Sequence, residues 1–371
     1  MPEAEPSRPG AAAPSRRWAR RLSAPALLLP ALSAWVVPAL HRGPEPATAP
    51  WTGPLPAAAV APVASTALVD ADGDGLDDAL EARIARRHAP RYRFAGHDPA
   101  GPDAPQNRDE RFFPLSVARF RAQVEAGVYG LVDGAVRAEA PGWFEADRID
   151  GFPSRLAGDP VGEAPAYVHV YPLGAGEAVV EYWLFYGYDR ADAAVLGVGV
   201  SLGDHRGDWE HTAFRVQLDP PRLLEGFYYG HALGLQVAGD DLERVEGEHP
   251  VVYVSQGKHA SYPAACVVPS VPLPTWLVQH LDVANGRGPV WDAWRGPLVD
   301  LGERGRPSPA ARDWLGYAGR WGPDGLALFG LEVGASPTGP TAKPSWGNNV
   351  TGTPWRDLLA ERGGWLLDPG R

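Results

Sequence analysis

Sulfur is nearly missing from this chain: among 371 residues there is one cysteine, Cys266, and one methionine, at the first position. A single thiol excludes an internal disulfide framework and leaves thiolate metal sites and dithiol redox chemistry without material. Positive charge is also short. With 34 Lys and Arg against 45 Asp and Glu the formal net charge is -11. The clustered cationic face that grips a phosphate backbone is therefore absent, and nucleic acid is excluded as a partner. What abounds is 44 Gly, 40 Pro and 14 Trp, so turns must be frequent and helices few.

The chain divides by composition. Residues 1–39 place the arginine-rich SRRWARR before the apolar run APALLLPALSAWVVPA, which ends in a small residue. That order is the pattern of a secretory signal peptide. A membrane anchor is the alternative, because the run approaches the roughly 20 residues that span a bilayer, and an uncleaved segment would give membrane contact. Residues 40–66 form a Pro/Ala-rich linker. A calcium loop and helix are expected over 67–88, and a folded body over 89–371. The expected location is secreted or in the cell envelope.

The stretch DADGDGLDDALE, 70–81, fits a twelve-residue calcium loop, in which oxygen ligands recur at fixed positions around a glycine turn. Asp70, Asp72, Asp74, Asp78 and Glu81 fall on side-chain ligand positions, Leu76 would offer its carbonyl, and Gly75 takes the turn. The cofactor expected is Ca²⁺. The alternative is an acidic helix start, since LDDALEARIARRH carries acid at its beginning and base at its end. The leading Pro-rich segment and Asp77 speak against a paired EF-hand.

From 166 onward AYVHVYPL, AVVEYWLFYGY, DWEHTAFRVQL, EGFYYGHALGLQVA and PVVYVSQ alternate at period two. They predict a mainly β protein, an antiparallel β-sandwich with one buried face per strand, short peripheral helices and long Gly/Pro/Trp-rich loops. Beyond about 270 the Trp-rich text reads as short helices and loops. Trp183, Tyr182, Trp291, Trp294 and Trp321 are expected in packing rather than in a sugar platform.

The stretch GDHRGDWEH, 203–211, concentrates ligand chemistry. On a strand Asp208 and Glu210 share a face with Cα atoms about 7 Å apart, while Trp209 and His211 face the other way. With His205 in the preceding loop they form an oxygen-rich set suited to a second divalent cation, Mg²⁺, Ca²⁺ or Mn²⁺. His231, His259 and Lys258 are the candidates for moving protons if they converge there. Ser255 and Ser261 lack a nucleophile elbow.

Four landmarks, APRYRF…DERFFPLSVARF, GDHRGDWEHTAFRV, HPVVYVSQGKHASYP and YAGRWGPDG…SPTGPTAKPSW, resemble the vacuolar protein sorting-associated family typified by yeast protein sixty-two, with its plant relatives. The resemblance implies family and fold, and no particular activity. HRGDWEH is also similar to the heptapeptide of the necrosis- and ethylene-inducing peptide-like toxins. His205, Asp208, Trp209 and Glu210 coincide with it, and Gly207 replaces the toxins' second histidine. That similarity implies a divalent cation and an upstream aspartate, for which Asp189 and Asp192 are the candidates. Three functions follow: an exported binding module for a glycan, lipid head group or partner protein; a metal-dependent hydrolase; and a cytolysin-like toxin.

Overall fold

The period-two stretches become the long strands of two facing sheets. The computed structural model describes residues 69–125, 131–132, 135–136, 157–201, 203–230, 233–271, 273–317, 320–321, 326–328, 331–333, 337–349 and 351–367. The expected export segment and linker lie outside them. The strands of the two principal sheets are β1 (Arg91–Phe94), β2 (Ala166–Gly174), β3 (Glu177–Asp189), β4 (His205–Leu218), β5 (Pro221–Gly230), β6 (Leu233–Ala238), β7 (Arg244–Val245), β8 (His249–Val254), β9 (Ser261–Tyr262), β10 (Val290–Asp292), β11 (Leu298–Asp300) and β12 (Thr353–Pro354). The larger sheet has seven strands in the order β11-β2-β3-β4-β5-β6-β12; the smaller has five, β7-β8-β1-β10 with β9 on β8.

The architecture is a mainly β sandwich, as the alternation predicts, with two corrections. Pairing is antiparallel through β2 to β6, but β11 joins β2, β12 joins β6 and β1 joins β8 in parallel. The large sheet is also covered on both faces: β3 is buried from Ala178 to Asp189. The reason is that both residue sets along β3 are bulky and apolar. Tyr182, Leu184 and Tyr186 pack with Tyr92, Phe94 and Val252 between the sheets. Trp183 and Phe185 pack outward with Phe112, Phe120, Trp209, Trp314 and Trp321.

Among the described residues three α-helices sit at the periphery: α1 (Asp78–Arg87), α2 (Val117–Glu125) and α3 (Trp355–Arg362). Asp77 caps α1 by accepting hydrogen bonds from the Ala79 and Leu80 amides, both at 3.1 Å, with acid in the first turn and base in the last, as the dipole favours. The Ser116 hydroxyl accepts from the Arg119 amide at the start of α2. No helix among the described residues is long and apolar enough to cross a membrane.

Two local readings change. EGFYYGHALGLQVA, read as one strand, is the hairpin β5–β6. The segment beyond 270, read as short helices and loops, does hold α3 and two short 3-10 turns, and also contains strands of two to four residues. The aromatic residues named above serve packing: Trp183, Tyr182, Trp291 and Trp321 are buried, and Trp294 stacks on His249.

Candidate cation site at the end of the sandwich

β3 and β4 pair from Glu177↔Gln217 to Asp189↔His205, so β4 begins at His205, not after it as the sequence reading had it. Strict alternation along this pair would turn Asp189 and His205 away from Asp208. The faces exchange at Gly207, which takes φ +59 with its α-carbon against the Trp321 carbonyl. On one side of it Tyr186 packs between the sheets; on the other Tyr188 packs outward. Asp189, His205 and Asp208 thereby bring one ligand atom each to within 4.8 Å of one another. Glu210 follows on the Asp208 face and is partly exposed.

The turn between β8 and β9 closes the site from the smaller sheet. It delivers His259, in the left-handed region at φ 57, with Nδ1 3.3 Å from Asp208 Oδ2. The His259 ring lies flat on Tyr186, centroids 3.7 Å apart and planes 4° from parallel. Beside it Lys258 Nζ reaches Asp282 Oδ1 at 2.6 Å and donates to Ser270 Oγ at 2.6 Å. The Tyr262 hydroxyl donates to Asp282 Oδ2 at 2.6 Å.

The charges at the site are out of balance. Burial, then the neighbouring Asp208 and Asp204, push the Asp189 carboxyl well above the usual range. Burial and Asp208 do the same to Glu210. Burial also acts to raise Asp208, but the hydrogen bond with His259 and the charges of His205, His259 and Lys343 outweigh it and hold that carboxyl below its ordinary value. Burial lowers the His205 pKa, so its imidazole is neutral at pH 7 and one of its two ring nitrogens carries a lone pair able to ligate. His205 Nε2 stands 3.7 Å from Asp189 Oδ2, and its Nδ1 is buried without a hydrogen-bond partner. Two carboxylates and a neutral imidazole, with a third carboxylate alongside, form a donor set that fits a divalent cation.

Of the other residues singled out from sequence, Asp192 is spoken for by Arg190 at 2.8 Å and Arg108 at 3.3 Å, and it does not join the cluster. His211 lies on the opposite face between the Trp183 and Tyr229 rings, 3.9 Å from each. His231 lies outside the described residues. Sequence reasoning missed Asp204, Tyr262, Asp282 and Lys343. One signal was available: the chain has two lysines, Lys258 and Lys343, and both serve this region. Lys343 Nζ donates to the Trp209 carbonyl.

At the other end of the described chain, Asp70, Asp72 and Asp74 also place ligand atoms within 4.8 Å of one another. Gly73 and Gly75 adopt positive φ and donate to the Asp70 carboxylate at 2.6 and 3.1 Å. Asp78 accepts from the Ala71 amide at 2.9 Å.

Fold and site together define a mainly β sandwich with an acid–histidine cluster at one end of its inter-sheet space. The model of the family described as "Vacuolar protein sorting-associated protein 62" matches residues 154–325, and the chain resembles that family. It is 25% identical over 229 residues to Vacuolar protein sorting-associated protein 62 of Saccharomyces cerevisiae, covering 55% of this chain and 47% of the relative. It is 25% identical over 185 residues to the yeast protein described as "Putative vacuolar protein sorting-associated protein TDA6", covering 43% of this chain and 38% of that one. The chain thus spans less than half the length of these relatives.

Among solved structures, one described as "Toxin fold for microbial attack and plant defense" superposes with a TM-score of 0.37 at 12% identity, covering 80% of this chain and 99% of that one. Necrosis and Ethylene inducing Protein 2, from the causal agent of cocoa's Witches Broom disease, gives a TM-score of 0.31 at 11% identity, covering 62% and 77%.

Proposed function

We propose that the protein is an exported binding module in which Asp189, His205, Asp208 and Glu210 hold a divalent cation, Mg²⁺, Ca²⁺ or Mn²⁺. The cation in turn accepts an oxygen-bearing ligand from a glycan, lipid head group or partner protein. The residues supply complementary parts. Asp189 and Asp208 contribute charge, neutral His205 contributes a nitrogen, and Glu210 adds a third carboxylate on the Asp208 face. Without a cation, buried carboxylates this close must take up protons or repel one another.

One observation favours binding over hydrolysis. His259 and Lys258, the described candidates for moving protons, are buried and already engaged, His259 with Asp208 and Tyr186, Lys258 with Asp282 and Ser270. A general base must reach a substrate proton within hydrogen-bond distance, and the one ring nitrogen of His259 without a partner, Nε2, is buried. The N-terminal pattern of basic and apolar residues supports export.

Calorimetric titration of the full chain with MgCl₂, CaCl₂ and MnCl₂ tests the reading. With Asp72→Ala and Asp74→Ala removing the acidic loop, one binding event should remain, and adding Asp208→Asn should abolish it. An unchanged isotherm in the Asp208→Asn chain overturns the proposal.

A further inference from the structure

The acidic loop before α1 shares a depression with Glu303, a carboxylate from far along the chain. Asp72, Gly73 and Asp74 line one depression with Pro172, Glu303, Gly305 and Arg306. Asp300 ends β11, which pairs with β2, and α1 packs on both of those strands. Glu303 is fixed from behind by His169, whose Nε2 lies 3.0 Å from Glu303 Oε1. His169 is held on its other side by Glu181 at 3.0 Å, and its ring stacks on Trp346 at 3.9 Å.

We propose that the loop carboxylates Asp70, Asp72 and Asp74, together with Glu81, Asp300 and Glu303, form a Ca²⁺ site that clamps the segment leading into α1 onto the edge of the seven-stranded sheet. This goes beyond a self-contained calcium loop, because two of the ligands come from the body.

Three observations carry it. The three loop aspartates are already gathered to within 4.8 Å, the widest separation of two oxygens on one Ca²⁺ at about 2.4 Å from each. Second, Glu81 is only 8% exposed and its Oε1 is buried without a hydrogen-bond partner; Asp74 Oδ2 is likewise buried and unpartnered. A buried acceptor without a donor is costly, and a hard cation held by the loop offers Asp74 and Glu81 the partner each lacks. Third, hydrogen bonds set the loop's shape before any ion arrives. Asp70 accepts from Gly73 and Gly75, and Asp74 Oδ1 accepts from the Leu76 amide at 2.7 Å. The other oxygen of Asp74 is the one left unpaired.

The test uses the full chain carrying Asp189→Asn and Asp208→Asn, so that the cluster at the sandwich end cannot contribute. Titration with CaCl₂ should give one event, abolished by Asp72→Ala with Asp74→Ala and weakened at least tenfold by either Glu303→Gln or Asp300→Asn. Melting temperatures in chelator and in Ca²⁺ separate clamping from support of the fold. The Glu303→Gln chain should lose the Ca²⁺-induced rise, not the value in chelator. If the parent chain gives no event, the site is overturned while the proposed function stands. If the event needs the loop but ignores both body substitutions, the loop binds alone and the clamp is overturned.

Discussion

Lys258 Nζ and Asp282 Oδ1 meet at 2.6 Å with both side chains 1% exposed. A buried ion pair is a weak source of net stability, but breaking it by removing one partner leaves an uncompensated charge and costs about 3–5 kcal/mol. Asp282→Ala should therefore destabilise the protein by that order in denaturant unfolding. Lys258→Met combined with Asp282→Leu should cost less than Asp282→Ala alone. Equal losses in the single and double variants would show that the pair is not what Asp282 contributes.

Gly207→Ala should be more damaging than its size suggests. The new Cβ would stand 2.2 Å from the Trp321 carbonyl oxygen, and the backbone is held at φ +59. Left-handed backbone alone costs about 1–2 kcal/mol for a residue with a side chain, so a loss of at least about 2 kcal/mol is expected from thermal unfolding. The same geometry explains why no histidine occupies this position: any Cβ here collides with the segment that bears Trp321.

Glu181 is buried and accepts from His169 Nδ1 at 3.0 Å, Trp183 Nε1 at 2.9 Å, the Gly347 amide at 2.8 Å and the Asn349 side chain. Glu181→Gln turns part of this acceptor into a donor. Hydrogen bonds to charged groups contribute about 1.5–3 kcal/mol each, so a loss of about 3 kcal/mol or more is expected. Hydrogen exchange read at the Gly347 amide should accelerate, and exchange at wild-type rates would count against the anchor.

His88 gives the acid limb of the stability curve a specific component. Burial lowers its pKa from 6.5 to about 4, against an opposing pull from Glu248. Between those values the unfolded chain binds a proton that the folded chain refuses. The contribution of neutral His88 is complete above pH 6.5, declines as pH falls, and is gone near pH 4, where both states are protonated. The gap corresponds to about 3 kcal/mol. Thermal unfolding across this window should show a shallower slope in His88→Leu than in the parent chain.

The long strands were legible because each carries six or more alternating residues, and α1 because its charges follow the dipole. The strands beyond 270 were not, since a pair such as Val278–Gln279 is too short to carry a period. Within the site, Asp208 and Glu210 were placed on one face from spacing alone. The gathering of Asp189 and His205 depends on the exchange of faces at Gly207, which alternation cannot express. The arrival of His259 depends on a turn from the other sheet. Asp189 and Asp192 were equivalent by position, and the two arginines that claim Asp192 separate them only in three dimensions.

The pairing of β1 bears on the order of events in folding. Strands β2 to β6 are antiparallel neighbours in chain order, interrupted only by the short Asp192–Val195 and Val198–Ser201 hairpin between β3 and β4, so each docks on a strand made shortly before it. β1 instead lies between β8 and β10, and the Ala89 carbonyl leading into it bonds to His249, 160 residues away. Closing a loop of that length yields no contact energy until both ends are in place, which makes such pairings slow to form. During synthesis, Arg91–Phe94 must wait until Val290 has followed. The first of the described strands to be made is therefore among the last to be seated.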